Sequence, residues 1–183
     1  MVVSTYQYFV GIDIAAQTAE VVVHSALGEV LSVLSIEQTP EQYQRVHDAL
    51  TKLKLVPEQC LVVMEATGTY WMKLAVWFYD AGYVVSVVNP LQTHHFAKLQ
   101  LQRAKTDRID AQLIAQFARM HQPSAWTPPP RVYHALQQHL VQRDAFLLMR
   151  TQLKNQLHAL RQQPTLSPLV VDRYQHQIDQ LSQ

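Results

Sequence analysis

The order of apolar and polar positions predicts that the first half of the chain forms a β-sheet. Apolar runs at Tyr8–Ile14, Glu20–Ser25 and Val30–Leu34 are joined by short connections, which predicts three antiparallel strands. Two later runs, Cys60–Glu65 and Tyr83–Val88, alternate with helical patterns and are therefore expected to pair in parallel. The pattern predicts an α/β fold in which a mixed sheet carries helices on its faces.

Helix signals fill the spaces between and after these strands. Thr39 followed by Pro40 is typical of a helix start, with Thr39 as the N-cap. An aromatic-rich helix is predicted from Tyr70 to Asp80, with its aromatic residues expected in the core: Tyr70, Trp71, Trp77, Phe78 and Tyr79. A further helix is predicted from Thr106 to His121, with one apolar face formed by Ile109, Leu113, Ile114, Phe117 and Met120. After Pro90 no strand pattern recurs, so the sheet is expected to end there.

A proline-rich segment predicts the domain organisation. Residues 123–130 read as a stiff linker, and Trp126 is expected to anchor this linker onto the first domain. Residues 131–162 lack Gly and Pro and predict a long helix. We therefore expect a catalytic domain at 1–122, the linker at 123–130 and a truncated helical, coiled-coil region at 131–183.

Composition and charge narrow the classes of function. The chain has 183 residues, 48% of them apolar, and a single cysteine, which excludes a disulfide framework and favours a reducing compartment. No apolar run approaches the ~20 residues of a membrane span. Residues 1–96 hold 4 Lys/Arg against 9 Asp/Glu, whereas residues 97–183 hold 11 against 5. The second half is therefore suited to a polyanionic partner.

Four carboxylates are placed where a fold could bring them together. Asp13 and Glu65 come at the ends of two apolar strands, and Asp107 and Asp110 share one face at the start of a helix. Magnesium prefers oxygen ligands, and two such ions ~3.5–4 Å apart can hold the attacking and leaving oxygens of a phosphodiester. Each acid alone is also consistent with a turn or capping role, so the prediction rests on their joint occurrence.

Three short segments carry a family resemblance. Val10–Ala15, Met64–Tyr70 and Lys105–Ala111 resemble the signature segments of the DEDD transposases, with Asn89-Pro90 fitting between them. These are insertion-sequence recombinases with a ribonuclease-H-like, RuvC-like N-terminal domain, and they include the RNA-guided members and the Piv-type invertases. The resemblance covers residues 8–160 and implies a DNA transposase or site-specific recombinase of the bacterial or archaeal cytoplasm, associated with the nucleoid.

The resemblance also implies roles for residues and partners. Asp13, Glu65, Asp107 and Asp110 would form the catalytic tetrad that binds Mg²⁺ or Mn²⁺, and Thr67-Gly68 would shape the turn beside Glu65. DNA would be the substrate, with a guide RNA as a further partner in the RNA-guided members. The long helix is expected to form a homodimer or a higher oligomer.

Basic residues flank the proposed metal acids. We expect them to contact the nucleic-acid backbone, with Lys105 and Arg108 as phosphate contacts, because they offset the repulsion between carboxylates and phosphates. The predicted surface comprises Lys98, Arg103, Lys105, Arg108, Arg119, Arg143, Arg150, Lys154 and Arg161.

Two alternative functions remain at this point. Family members carry a second, C-terminal domain that supplies a nucleophilic serine, and this chain is expected to lack it. It could therefore be a non-catalytic nucleic-acid-binding or dimerisation module that regulates a full-length transposase. An actin-like phosphotransferase is disfavoured, because four glycines are too few for its phosphate-binding loops.

Overall fold

A computed structural model describes residues 6–100 and 106–182. Five strands form one sheet in the order β3-β2-β1-β4-β5. Their bounds are β1 Tyr8–Ile14, β2 Thr18–Ser25, β3 Val30–Glu37, β4 Cys60–Glu65 and β5 Val84–Val88. The first three strands pair antiparallel, while β1 with β4 and β4 with β5 pair parallel. This is the mixed sheet of three antiparallel and two parallel strands that the apolar pattern predicts.

The described residues form six α-helices. Thr39, Asn89 and Thr106 cap three of them, each accepting a hydrogen bond from a backbone N–H of the first turn. The bounds are α1 Pro40–Lys52, α2 Trp71–Asp80, α3 Pro90–Leu99, α4 Asp107–His121, α5 Arg131–Leu160 and α6 Pro168–Gln180, with a short 3₁₀ turn at Pro57–Gln59.

The alternation of side chains along the strands divides the core between two faces of the sheet. Val10, Ile12 and Met64 belong to the face that packs against α1 and α2. Phe9 and Val63 point the opposite way and pack against α3 and α4. Because Asp13 and Glu65 lie two residues beyond Gly11 and Val63, they continue the α3/α4 face.

A glycine allows α4 to approach the central strand closely. A Cβ atom on Gly11 would lie 2.2 Å from the Ala115 nitrogen and 2.3 Å from the Ala111 oxygen. Both alanines are fully buried on α4. The backbone of α4 thus rests directly on β1, two residues before Asp13.

The linker extends the first of two compact units. The chain divides into residues up to Pro128 and residues from Pro129 onward. Trp126 donates its backbone N–H to the Val85 oxygen at 2.7 Å, and its ring contacts Trp71 and Tyr79 edge-on. The structure therefore confirms that Trp126 anchors the linker.

The second unit contains α5 and α6, which pack against each other. Leu157 and Ile178 are its buried apolar side chains within the described residues. Most other apolar residues of α5 are exposed. The long helix is confirmed, and its assembly into a coiled coil stays a prediction.

Several predicted core positions are corrected by the structure. Tyr70 and Tyr79 were expected in the core but are 50% and 40% exposed. Tyr70 precedes α2 as its N-cap, and Tyr79 lies outside the side of α2 that buries Leu74 and Phe78. Met120, expected on the apolar face of α4, is 54% exposed near the end of that helix. In the described part of the chain, no helix is both long and apolar enough to cross a membrane.

Candidate active site

Two carboxylates lie side by side at the carboxyl edge of the sheet. The parallel register pairs Ile12 with Met64, so Asp13 and Glu65 follow at neighbouring positions on β1 and β4. Both side chains are half-buried. The predicted placement of these two acids on adjacent parallel strands is confirmed.

The other two carboxylates begin α4. The Thr106 hydroxyl accepts from the Ile109 N–H at 3.3 Å and fixes the helix start. Asp107 and Asp110 fall in the first turn, where the helix dipole stabilises negative charge. Since α4 is packed on β1 at Gly11, its first turn lies over the end of that strand.

All four acids line one cleft. Its volume is about 570 Å³, and its walls come from β1, β4 and the helices α3 and α4. Asp13, Glu65, Asp107 and Asp110 share this lining with Thr67, Thr93 and His94. The predicted tetrad is therefore brought to one cavity.

Electrostatic coupling among the acids is visible at Asp13. Burial raises the pKa of Asp13 to about 6, with further increases from the negative charges of Asp110, Glu65 and Asp107. A hydrogen bond from the Ile14 backbone partly opposes this shift. Over the residues that the structure describes, the negative charge of the Asp13 carboxylate is thus not balanced by a nearby positive charge. A bound cation would favour the charged form of this carboxylate.

The donor set fits a hard divalent cation in its chemistry, but the side chains are not gathered around one point. Among the described residues, no three His, Cys, Asp or Glu side chains stand close enough together to hold a metal ion. Coulombic coupling acts over longer distances than metal ligation, which needs oxygens ~2 Å from the ion. The carboxylates would have to turn toward a shared ion.

A tight turn carries the chain away from Glu65. Thr67 donates its N–H to the Glu65 carbonyl at 2.9 Å, and Gly68 adopts a φ of +57°. The Trp71 indole N–H then donates to the Gly68 oxygen at 3.1 Å. The interpretation of Thr67-Gly68 as the turn beside Glu65 agrees with this geometry.

Two polar residues of α3 line the cleft, and neither of them was predicted from the sequence. Thr93 is 4% exposed, and its hydroxyl lies 2.5 Å from Glu65 Oε1. His94 lines the same cleft, although the sequence offered only the weak signal of adjacent histidines. Asn89-Pro90 is a helix-start signal that could have placed Thr93 in the first turn of α3. Nothing in the sequence indicated that the Thr93 side chain contacts Glu65.

The predicted nucleic-acid contacts of the first unit do not all lie near the four acids. Lys98 and Arg108 are exposed on α3 and α4, and Arg103 and Lys105 lie outside the described residues. Arg119 lies 12 residues after Asp107, about 18 Å along the helix. There a Cβ on Gly28 would lie 3.3 Å from Arg119 Cζ, so Arg119 packs on the β2–β3 turn instead of flanking the acids.

The predicted nucleic-acid contacts of the second unit lie on or directly after α5. Arg143 and Lys154 are exposed, as is Arg161 at the helix end, while Arg150 is half-buried. Arg143 forms a surface ion pair with Asp144 at 2.8 Å. This pair leaves Arg143 less available to a phosphate than its exposure suggests.

The fold and the site together define a class. A five-stranded mixed sheet with acids at the ends of its first and fourth strands, and two more on the helix that packs over them, is a ribonuclease-H-like arrangement. The sequence matches the family of IS110-type DEDD transposases over residues 10–163. Because the match covers most of the chain, this protein belongs to that family. Transposases act on DNA, and nucleases of this type generally use divalent metal ions.

Two relatives support the assignment. The pilin gene-inverting protein of Moraxella bovis is 46% identical over 67 residues, and that of Moraxella lacunata is 45% identical over 67 residues. Each alignment covers 37% of this chain and 21% of the relative. The matched region is thus about a fifth of the length of these curated relatives.

A solved structure is also similar. The crystal structure of the fowlpox virus Holliday junction resolvase aligns with a TM-score of 0.41 and 13% identity. The alignment covers 63% of this chain and 98% of the resolvase.

Proposed function

We propose that this chain is the metal-dependent catalytic part of a DNA transposase or site-specific recombinase. The observation that carries the proposal is the pairing of Asp13 with Glu65 on adjacent parallel strands, in one cleft with Asp107 and Asp110. Family membership supports the reaction class, since transposition requires breaking and joining phosphodiesters.

The four carboxylates would hold Mg²⁺ or Mn²⁺. The ions would supply Lewis-acid polarisation of a phosphate oxygen and stabilisation of the attacking and leaving oxygens. The protein itself supplies a rigid pair of acids on β1 and β4 and a second pair on the first turn of α4. This division places two ligands on the sheet and two on a helix start whose side chains can adjust to the ion.

Basic residues would hold the nucleic-acid backbone. Within the first unit we propose Lys98, Arg103, Lys105 and Arg108 as backbone contacts, and within the second Arg143, Arg150, Lys154 and Arg161. Arg119 belongs to the same predicted set, although it packs against the β2–β3 turn. Such contacts position DNA without reading its sequence.

The partners and domain limits are proposed with the function. A guide RNA would supply sequence selection, a homodimer or higher oligomer would form through α5, and the protein would act at the nucleoid, where its DNA lies. The catalytic domain is proposed at 1–122, the linker at 123–130 and the helical region at 131–183.

The decisive experiment is a metal titration monitored by thermal unfolding. Ions that bind only the native state raise its stability, so millimolar Mg²⁺ or Mn²⁺ should raise the Tm of the wild type by several degrees. Asp13→Asn should abolish most of this shift. Asp80→Asn is the matched control, because Asp80 is an exposed acid at the end of α2 and does not line the cleft. An equal shift in the Asp13 variant would mean that the ion binds elsewhere.

A second candidate function is a non-catalytic nucleic-acid-binding or dimerisation module. The exposed basic and apolar residues of α5 favour it, since they need no metal to act. DNA or RNA binding that is unchanged by EDTA and by Asp13→Asn, in a protein with no metal-dependent Tm shift, would select this candidate.

A further inference from the structure

Thr93 contacts Glu65, one of the four site acids, through its side-chain hydroxyl. It lies in the first turn of α3, 4% exposed, where it is one of three buried polar side chains of the described residues. Its hydroxyl lies 2.5 Å from Glu65 Oε1 and 2.9 Å from the Pro90 carbonyl. Glu65 is 28 residues away in sequence, so this contact links α3 to the end of β4.

The start of α3 holds this hydroxyl in place. The Asn89 side chain accepts from the Leu91 N–H at 2.9 Å, and Pro90 occupies the first helical position. Phe96, one turn further along, is buried against the α4 side of the core. Thr93 therefore has little freedom, and its β-branched side chain has few rotamers to choose from.

The chemistry of the hydroxyl gives the contact a direction. A threonine carries one O–H donor, and both neighbouring oxygens are acceptors when Glu65 is ionised. A hydrogen bond to a charged acceptor is shorter and stronger than one to a neutral carbonyl. The short contact to Oε1 indicates that the proton is directed at the carboxylate, which fixes one oxygen of Glu65. Within the described residues, no hydrogen bond involves Oε2.

We infer that Thr93 is a positioning residue that orients the Glu65 carboxylate for a divalent cation. The inference rests on the proposed function, because it gives Glu65 a ligand role. One oxygen is bound to Thr93, and the other is left for the ion. Outer hydrogen bonds of this kind orient ligating carboxylates in metal sites.

The test compares three threonine variants in a Mg²⁺ titration followed by thermal unfolding. Thr93→Val keeps the shape but removes the hydroxyl, and should weaken the apparent Mg²⁺ affinity about tenfold, as for other outer-shell partners. Thr93→Ser restores the hydroxyl and should bind Mg²⁺ within about twofold of the wild type. Thr51→Val is the matched control, because Thr51 donates to the His47 carbonyl on α1 and has no such contact with an acid.

A metal-free cycle tests the contact itself. In EDTA, Thr93→Val should lower the Tm of the wild type more than it lowers the Tm of Glu65→Ala, because the partner is absent in the second background. If Thr93→Val does not fold, the Thr93→Ser titration and a Thr93→Ala variant take its place.

The outcomes separate this inference from the proposed function. If the wild type shows a Mg²⁺ shift and Thr93→Val shows an equal one, Thr93 only stabilises α3 and the inference is overturned. If the wild type shows no shift although the two substitutions couple in EDTA, the proposed function fails and the inference falls with it, while the Thr93–Glu65 contact stands. A weakened Thr93→Val response that Thr93→Ser restores supports the inference.

Discussion

The two units of this chain use apolar residues in opposite ways. In the first unit, β1 and β4 bury nearly all their apolar side chains, and Val10, Ile12 and Val63 are fully inaccessible. In the second unit, Leu136 is 54% exposed and Leu148 is 67% exposed on a helix of 30 residues. The first unit therefore carries its own core, whereas the second presents its apolar residues to solvent.

The length of the helices explains part of this difference. α5 extends about 45 Å and α6 about 20 Å, so α6 can cover only part of its partner. Exposed apolar surface of this extent marks interaction sites. The exposed apolar residues of α5 are therefore the surface through which we propose self-association.

The largest expected effect breaks the core of the first unit. Gly11→Ala should destabilise the protein by about 3 kcal/mol, because its Cβ would meet the α4 backbone, which cannot move aside cheaply. Chemical denaturation measures this change. Gly28→Ala, with φ +90° but only the flexible Arg119 side chain nearby, should cost about 1 kcal/mol. Equal costs for the two variants would show that α4 is not held against β1 at Gly11.

The next effect concerns the second unit. Replacing Leu136, Leu140 and Leu147 together by Gln should weaken self-association about 100-fold, or about 2.7 kcal/mol. Each leucine would lose only part of the roughly 1.5–3 kcal/mol that complete burial of a leucine contributes. Sedimentation velocity over a concentration series checks this. Leu27→Gln is the control, since Leu27 is 84% exposed in the β2–β3 turn and should leave association unchanged. A wild-type monomer at every concentration would contradict the expectation.

A smaller effect is the pH dependence of the metal-free first unit. The pKa of Asp13 is raised from 3.8 to about 6, so the folded state holds a proton that the unfolded state has released between these values. Stability should therefore fall as pH rises through this window, by about 1 kcal/mol after allowance for solvent screening.

The check is the difference between wild type and Asp13→Asn in denaturant unfolding from pH 4 to pH 7. Asp13→Asn should flatten the decline, and millimolar Mg²⁺ should reverse it in the wild type by favouring the ionised carboxylate. A wild-type profile that rises with pH relative to the variant would show that Asp13 is instead stabilised in its charged form.

The smallest effect compares one arginine from each unit. Arg108→Gln should weaken DNA binding several-fold and reduce the salt slope by about 1, because Arg108 is exposed between two site acids. Arg143→Gln should change the binding less, since Arg143 is already paired with Asp144. Fluorescence anisotropy at several salt concentrations distinguishes them, and a larger loss for Arg143→Gln would move the binding surface to the second unit.

Most of the fold could be predicted from the sequence, and so could the neighbouring positions of two of the four site acids. Asp13 and Glu65 could be placed because strand ends are set by local apolar runs and parallel pairing follows from the crossover helices. The cleft itself could not be outlined, since it depends on how closely α4 approaches Gly11. Thr93 was not recognised, because a threonine in a first turn has the same local pattern whether or not it contacts an acid.

Helical periodicity was a weaker guide to burial. It predicts which residues share a face of a helix, but it does not say how much of that face a neighbour covers. Tyr70 and Tyr79 were expected in the core and Met120 on the apolar face of its helix, and all three are exposed. Tyr70 precedes α2, Tyr79 lies outside the buried side of α2, and Met120 lies near the end of α4. Charge patterns have a similar limit. Arg119 is near Asp107 in the sequence, but the length of α4 separates the two side chains.

The linker has a consequence for aggregation. β5 is an edge strand, and unpaired edges of sheets can pair with another chain. Trp126 occupies this edge through its bond to Val85 and covers the rings of Trp71 and Tyr79. A fragment ending at residue 122 would expose both the strand edge and the rings, and should precipitate on concentration. A fragment ending at residue 128 retains Trp126, which covers this edge, and should stay in solution.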